Sequence, residues 1–328
     1  MERRPVETGS PWVEEQTLVE TLLSDYRHAR ALLEELTKDF RAREALVMNG
    51  RALMARSAPT TKPSPISVAE AGTRSPMLAL FCLGKFRVEI DGMPVDTRAG
   101  GKSLAILKFL AGRDGHPTPR DILMEALWPD SDAEAAGNRL RVAVHALRRL
   151  LAPAGKSLDI LTYQDGCYLL NPGVSVRIDA DEFETLWQRG VRLERQGRRA
   201  EAAEAYAQAE LLYSGDYLEE DLYEEWTLLR RECLRDAYVD LLGKLATWSI
   251  TEGDYGDCIV RCQKILAQDP CREDAYRLLM RCYAATGQKA RALRWYNICA
   301  ANLRREVGVT PSPQTVALRR RLLQGESP

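Results

Sequence analysis

The chain has 328 residues with 46 Lys and Arg against 47 Asp and Glu, and 45% of its residues are hydrophobic. That length leaves room for two or three domains with sizeable cores, and a net charge of −1 excludes bulk attraction to nucleic acid, so any polyanion must be met by a local patch. No charged leader precedes an apolar stretch and no run approaches roughly 18 apolar residues, so neither export nor a membrane span is expected and the compartment is expected to be cytoplasmic.

Val19, Tyr26, Leu33, Phe40 and Val47 stand seven apart, and Leu22, Ala29 and Leu36 follow the first three by three residues. This heptad seam predicts an amphipathic coiled-coil helix over residues 1–50, which has to pair with a copy of itself, the preferred reading, or fold onto the rest of the chain. Residues 51–76, with Pro59, Pro63, Pro65 and Pro76 among small polar residues, read as a flexible linker. Leu78 to Ile90 and Met93 to Val95 then alternate as strands around a turn at Asp91-Gly92. Gly101 to Gly112 is a short amphipathic helix, and Thr118 to Trp128 is a second, with Pro119 in its first turn.

The third helix carries the chemistry. In residues 134–151, Ala136, Leu140, Val144, Leu147 and Leu151 form one apolar stripe, while Asn138, Arg141, His145 and Arg148 share another face with Arg139 and Arg149 alongside. Four arginines stand against one acid, Glu134; guanidiniums on an exposed stripe can neutralise phosphates or bond guanine edges, and Asn and His can read other base edges. A merely solvated charged face is the bland alternative. Ser131, three residues before Glu134, is expected to cap this helix in a capping box. Leu158 to Leu170 follows as a hairpin around Gln164-Asp165-Gly166.

From Asp181 the pattern is almost entirely helical and repeats itself: Gly197 to Tyr206, Gly253 to Cys262 and Gly287 to Tyr296 each open a second helix after a glycine turn. The last two glycines are 34 residues apart, and a helix over about Tyr223 to Glu252 is inserted between the first two repeats. Eight cysteines occur without a Cys-x-x-Cys spacing; most fall in helical apolar patterns, and although Cys258 and Cys262 share a helix face, no histidine lies near enough in sequence to complete a metal site, so no metal or other cofactor is expected. Asp96 to Ser103 ends in Gly-Lys-Ser but opens on an aspartate where a phosphate loop needs glycine, and no acid-base pair, nucleophile elbow or zinc-protease helix appears, so no enzyme is expected.

The order strands, three helices and hairpin, with Gly101-Lys102, Leu127-Trp128-Pro129, Asn138 to Arg141, His145 to Arg149, Leu161-Thr162 and Tyr168-Leu169 at matching spacing, resembles the winged helix-turn-helix of OmpR/PhoB-like regulators. Cys167 stands where that family usually has glycine before its wing tyrosine. The 34-residue period resembles tetratricopeptide repeats. Asp269 to Tyr283 and the ending Leu303 to Thr315 look like the bacterial transcriptional activator domain, and the combination is similar to SARP-type regulators over about residues 77–325. The expected architecture is therefore mainly α with a small β component: a winged helix over 77–173 and tetratricopeptide-like repeats over 174–328.

The resemblance implies a regulator that binds double-stranded promoter repeats and helps recruit RNA polymerase, as a homodimer if the first helix pairs. Asn138, Arg139, Arg141, His145, Arg148 and Arg149 are the expected DNA-reading residues, and Thr162, Gln164, Lys102 and Arg120 the expected backbone contacts. The alternative is a protein-interaction adaptor whose winged helix has lost DNA; a small-molecule sensor built on the repeats is a third reading.

Overall fold

The computed structural model describes residues 77–98, 100–113, 115–152 and 159–326. The heptad segment and the proline-bearing linker expected over residues 1–76 lie outside these. The described residues belong to one compact unit, Thr73–Pro328.

Strands β1 (Met77–Phe81), β2 (Arg87–Ile90) and β3 (Met93–Pro94) form an antiparallel meander. Asp91 and Gly92 turn the chain between β2 and β3 with φ of 51° and 79°, the pair of positive φ that a tight hairpin turn requires. Three helices follow: α1 (Gly101–Ala111), α2 (Arg120–Leu127) and α3 (Ala133–Leu150). The second begins two residues later than expected, because Thr118-Pro119 is instead a two-residue strand, β4, paired with Cys167 and Tyr168 of the hairpin formed by β5 (Leu161–Gln164) and β6 (Cys167–Leu170). Pro119 is thus the residue before the helix rather than one within its first turn, where its fixed φ suits an edge strand equally well. The cap of α3 also differs from the expectation: Asp132, not Ser131, accepts the amide of Ala135 at 2.8 Å, and Ser131 instead accepts from Arg139. A carboxylate competes better than a hydroxyl for an amide at the positive end of a helix.

The stripe read from α3 is buried as expected, with Ala136, Leu140, Val144, Leu147 and Leu151 all inside. Truncation of Leu140 or Leu147 to Ala at such sites costs about 2–5 kcal/mol. Strand β7 (Ser175–Ile178), which sequence pattern did not indicate, follows the expected module border at residue 173 and pairs in parallel with β1, closing a four-stranded sheet of order β3-β2-β1-β7.

Helices α4 (Asp179–Arg195) and α5 (Arg199–Leu212), α6 (Glu225–Glu252) and α7 (Tyr255–Gln268), and α8 (Glu273–Ala285) and α9 (Lys289–Glu306) stack as antiparallel pairs, ending in α10 (Pro313–Gln324). The turn glycines Gly197, Gly253 and Gly287 sit at φ of 74°, 82° and 74°, so the repeat visible in sequence is a repeat of one left-handed turn position. The long helix taken as an insertion is the first member of the second pair. Cys82, Cys258, Cys262, Cys282 and Cys299 are buried, whereas Cys233 is exposed and Cys167 and Cys271 are half-buried. The Cys258 and Cys262 sulfurs lie 4.0 Å apart, and the hydrogen bond to Cys262 followed by burial pushes the Cys258 thiol up to about 12; the described residues hold no group of three side chains suited to a metal.

Residues 213–224, between α5 and α6, join the two halves. Leu218 donates its amide to the Cys82 carbonyl at 2.7 Å and Gly84 donates to the Asp216 carbonyl at 2.9 Å. Arg231 on α6, 2% exposed, donates to the carbonyls of Tyr217, Leu218 and Asp221 at 2.8–3.1 Å and to the Thr227 hydroxyl at 2.8 Å. Asp179, 5% exposed at the start of α4, accepts the amides of Cys82 and Leu83 at 2.6 and 3.1 Å. Burial pushes its carboxyl above the usual range against the pull of those bonds. Lys108 of α1 reaches Asp221 at 2.5 Å, and Phe109 packs on Trp226 with ring centroids 5.2 Å apart. Arg231→Met should leave the loop carbonyls without donors and lower stability by about 3 kcal/mol, read as a shift in the urea midpoint. An unchanged midpoint would show that the loop does not depend on that guanidinium.

Candidate nucleic-acid interface

Asn138, Arg139, Arg141, His145, Arg148 and Arg149 are all exposed on α3. None is covered by the helical repeats. Their surroundings divide them into three groups.

Asn138, Arg141, His145 and Arg149 make no hydrogen bond or ion pair with another side chain among the described residues. They lie on the open face of the helix, with Val142, 70% exposed, at one edge of it. Sequence reasoning missed that valine, although the signal was present as an apolar residue off the buried stripe. An exposed valine between donors suits the methyl group of a thymine.

Arg148 is bound to the hairpin: it donates to the Leu161 carbonyl at 3.0 Å and lies 3.9 Å from Asp159. One edge of its guanidinium is thus committed to holding the wing against α3. Near it, Tyr168 packs on Tyr163 with centroids 4.6 Å apart. Burial and then Tyr163 raise the Tyr168 hydroxyl, while the charges of Arg120, Arg148 and Arg141 pull it down, at the junction of α2, α3 and the wing. Arg120 reaches this junction by crossing Gly137, where an added Cβ would lie 2.1 Å from its guanidinium nitrogen. Thr162 is half-buried and Gln164 exposed on β5, and Asp165 and Gly166 form the wing tip at φ of 50° and 79°.

Arg139 and Lys102 are brought together elsewhere. Both line a cleft of about 650 Å³ with Trp128, Tyr223, Glu224 and Trp226. Arg139 donates to the Ser131 hydroxyl at 2.6 Å and Lys102 lies 3.4 Å from Glu224, on the flank of α3 that faces the repeats rather than the wing. At the start of α1 the Ser103 hydroxyl turns back to the Gly100 carbonyl at 2.5 Å, a helix start and not a phosphate cradle.

An open basic helix seated on a three-helix core and flanked by a hairpin, followed by stacked helix pairs, defines a winged-helix transcriptional regulator with a helical activator domain. Two family models match in that order: "Transcriptional regulatory protein, C terminal" over residues 96–170 and "Bacterial transcriptional activator domain" over residues 178–323. The chain is thus similar to the SARP-type regulators that join these two domains. It is 26% identical over 245 residues to the transcriptional regulatory protein MoaR1 of Mycobacterium tuberculosis, covering 74% of this chain and 78% of that one. It is 24% identical over 262 residues to the transcriptional regulatory protein EmbR of the same organism, spanning 66% of EmbR's length. The solved structure of EmbR in complex with a low-affinity phosphopeptide matches 77% of this chain with a TM-score of 0.62 at 24% identity, so the two share the fold. No helix among the described residues is long and apolar enough to cross a membrane.

Gly137→Ala isolates the Arg120 position. The substitution should displace only the flexible guanidinium while adding up to about 1 kcal/mol of helix propensity. The melting temperature should therefore hold or rise while duplex affinity falls; a fall in both would mean that the helix, not the arginine, had been disturbed.

Proposed function

We propose that the protein is a sequence-specific promoter-binding activator that lays α3 in the major groove and rests the β5–β6 hairpin on the adjacent backbone. The observation that carries this reading is the uncovered face of α3, whose cations have no acidic partner among the described residues. Arg141, His145 and Asn138 read base edges, Val142 meets a thymine methyl and Arg149 meets phosphate. Arg148 holds the wing in place and offers its remaining edge to phosphate. Arg120, Thr162 and Gln164 steady the backbone, whereas Lys102 and Arg139 serve the joint with the repeats. The helical repeats contact RNA polymerase, and residues 1–50 pair two copies so that two reading helices meet repeated half-sites. The protein acts in the cytoplasm and has no catalytic role. The names of MoaR1 and EmbR as transcriptional regulatory proteins support this reading.

Selection of bound duplexes from a random pool by the full chain tests it. Arg141→Ala should cost about 1–3 kcal/mol and relax one base position, whereas Arg149→Ala should weaken all duplexes alike and reduce the salt slope by about 1. Failure to enrich any sequence would favour the adaptor reading. In the selected duplex, replacing single thymines by deoxyuracil should weaken the wild type at one position and leave Val142→Ala unaffected there; equal losses for both proteins would remove valine from the reading set.

A further inference from the structure

We propose that the last two helices, α9 and α10, form a docking surface for an acidic amphipathic segment of a protein partner. The proposal rests on reading the repeats as the partner-binding half of the regulator, and it names the surface and the chemistry.

Charge is distributed unevenly along the repeats. Residues 179–286 hold fourteen Lys and Arg against twenty-three Asp and Glu, whereas residues 287–326 hold eight against two. The bases of α4–α8 are largely neutralised inside the domain, as in Arg230 with Asp181, Arg235 with Asp216, Lys244 with Glu194 and Arg261 with Glu210. Of the eight in α9 and α10, one, Arg305, has an acidic partner among the described residues, the neighbouring Glu306. Seven of the eight are exposed. Such a concentration of uncompensated cations repels itself and is relieved by an anionic partner.

The surface also has an apolar element. Where α9 leads into α10, Ala300, Ala301, Val309 and Pro311 line a notch of about 570 Å³ flanked by Arg304 and Arg305. Val307 and Val309 beside it are 58% and 48% exposed. A phosphate backbone has nothing apolar to place there, whereas a helix with Leu or Ile at three- and four-residue spacing between acids fills the notch and meets both guanidiniums. Apolar and basic character together therefore favour an acidic protein helix over nucleic acid.

The test uses the full chain and a displayed library of random peptides of about 16 residues, long enough for helix on a surface. The expected result is enrichment of sequences that combine Asp or Glu with Leu, Ile or Phe at helical spacing. Their Kd should rise about tenfold or more on the double substitution Arg304→Glu with Arg305→Glu, and again on Val309→Asp, with the circular dichroism spectrum unchanged. Enriched peptides indifferent to these variants would overturn the assigned surface while leaving the repeats as a partner-binding domain. No enrichment at all would overturn both. A double variant that loses affinity for a non-specific duplex, with a shallower salt slope, would show a nucleic-acid contact instead and overturn the protein-partner assignment.

Discussion

The architecture depends on two buried ions at the boundary between the winged helix and the repeats, one that crosses it and one that shapes the loop that crosses it. Arg231 holds three carbonyls of the 213–224 loop, that loop pairs with the end of β1, and Asp179 binds the amides of Cys82 and Leu83 from the other side. A buried charge without partners costs several kcal/mol, so each ion binds its segment to the position where its hydrogen bonds are complete. Separating the halves would strand the Asp179 carboxylate and several backbone groups at once.

A joint of this kind has a geometric consequence. Where α3 lies on a duplex, the repeats must follow at a nearly fixed angle, because the contact includes backbone hydrogen bonds and a buried carboxylate. The ion pair of Lys108 with Asp221 and the Phe109–Trp226 contact add α1 to the same seam. The open face of α3 is left clear by this arrangement, since the repeats approach from the α1 side and the wing occupies the other edge.

The near-zero net charge conceals three electrostatically distinct regions. The open α3 face is basic and without acidic partners, helices α4–α8 are acidic overall with most of their bases paired, and α9 and α10 are basic with one pair, Arg305 with Glu306, among the described residues. Separating charge within one chain lets a protein with almost no net charge carry two local basic surfaces of different character, one polar and one with an apolar notch.

Much of this was legible in the residues. The apolar stripe of α3, the Asp-Gly hairpin turns and the glycine spacing of the repeats are local patterns, set by helical period and by the few residues that accept positive φ, and each formed where the pattern placed it. The shift of α2 to begin at Arg120 and strand β7 were not legible, because two-residue and four-residue strands exist only by virtue of a partner distant in sequence; the cap at Asp132 is local, and was settled by a carboxylate standing one residue beyond Ser131. The same limit applied to the interface. Sequence supplied the cations of α3, but which of them face open solvent, which one grips the wing and which two turn to the joint was decided by the packing of the hairpin and of the 213–224 loop against them, contacts between segments that no local spacing encodes.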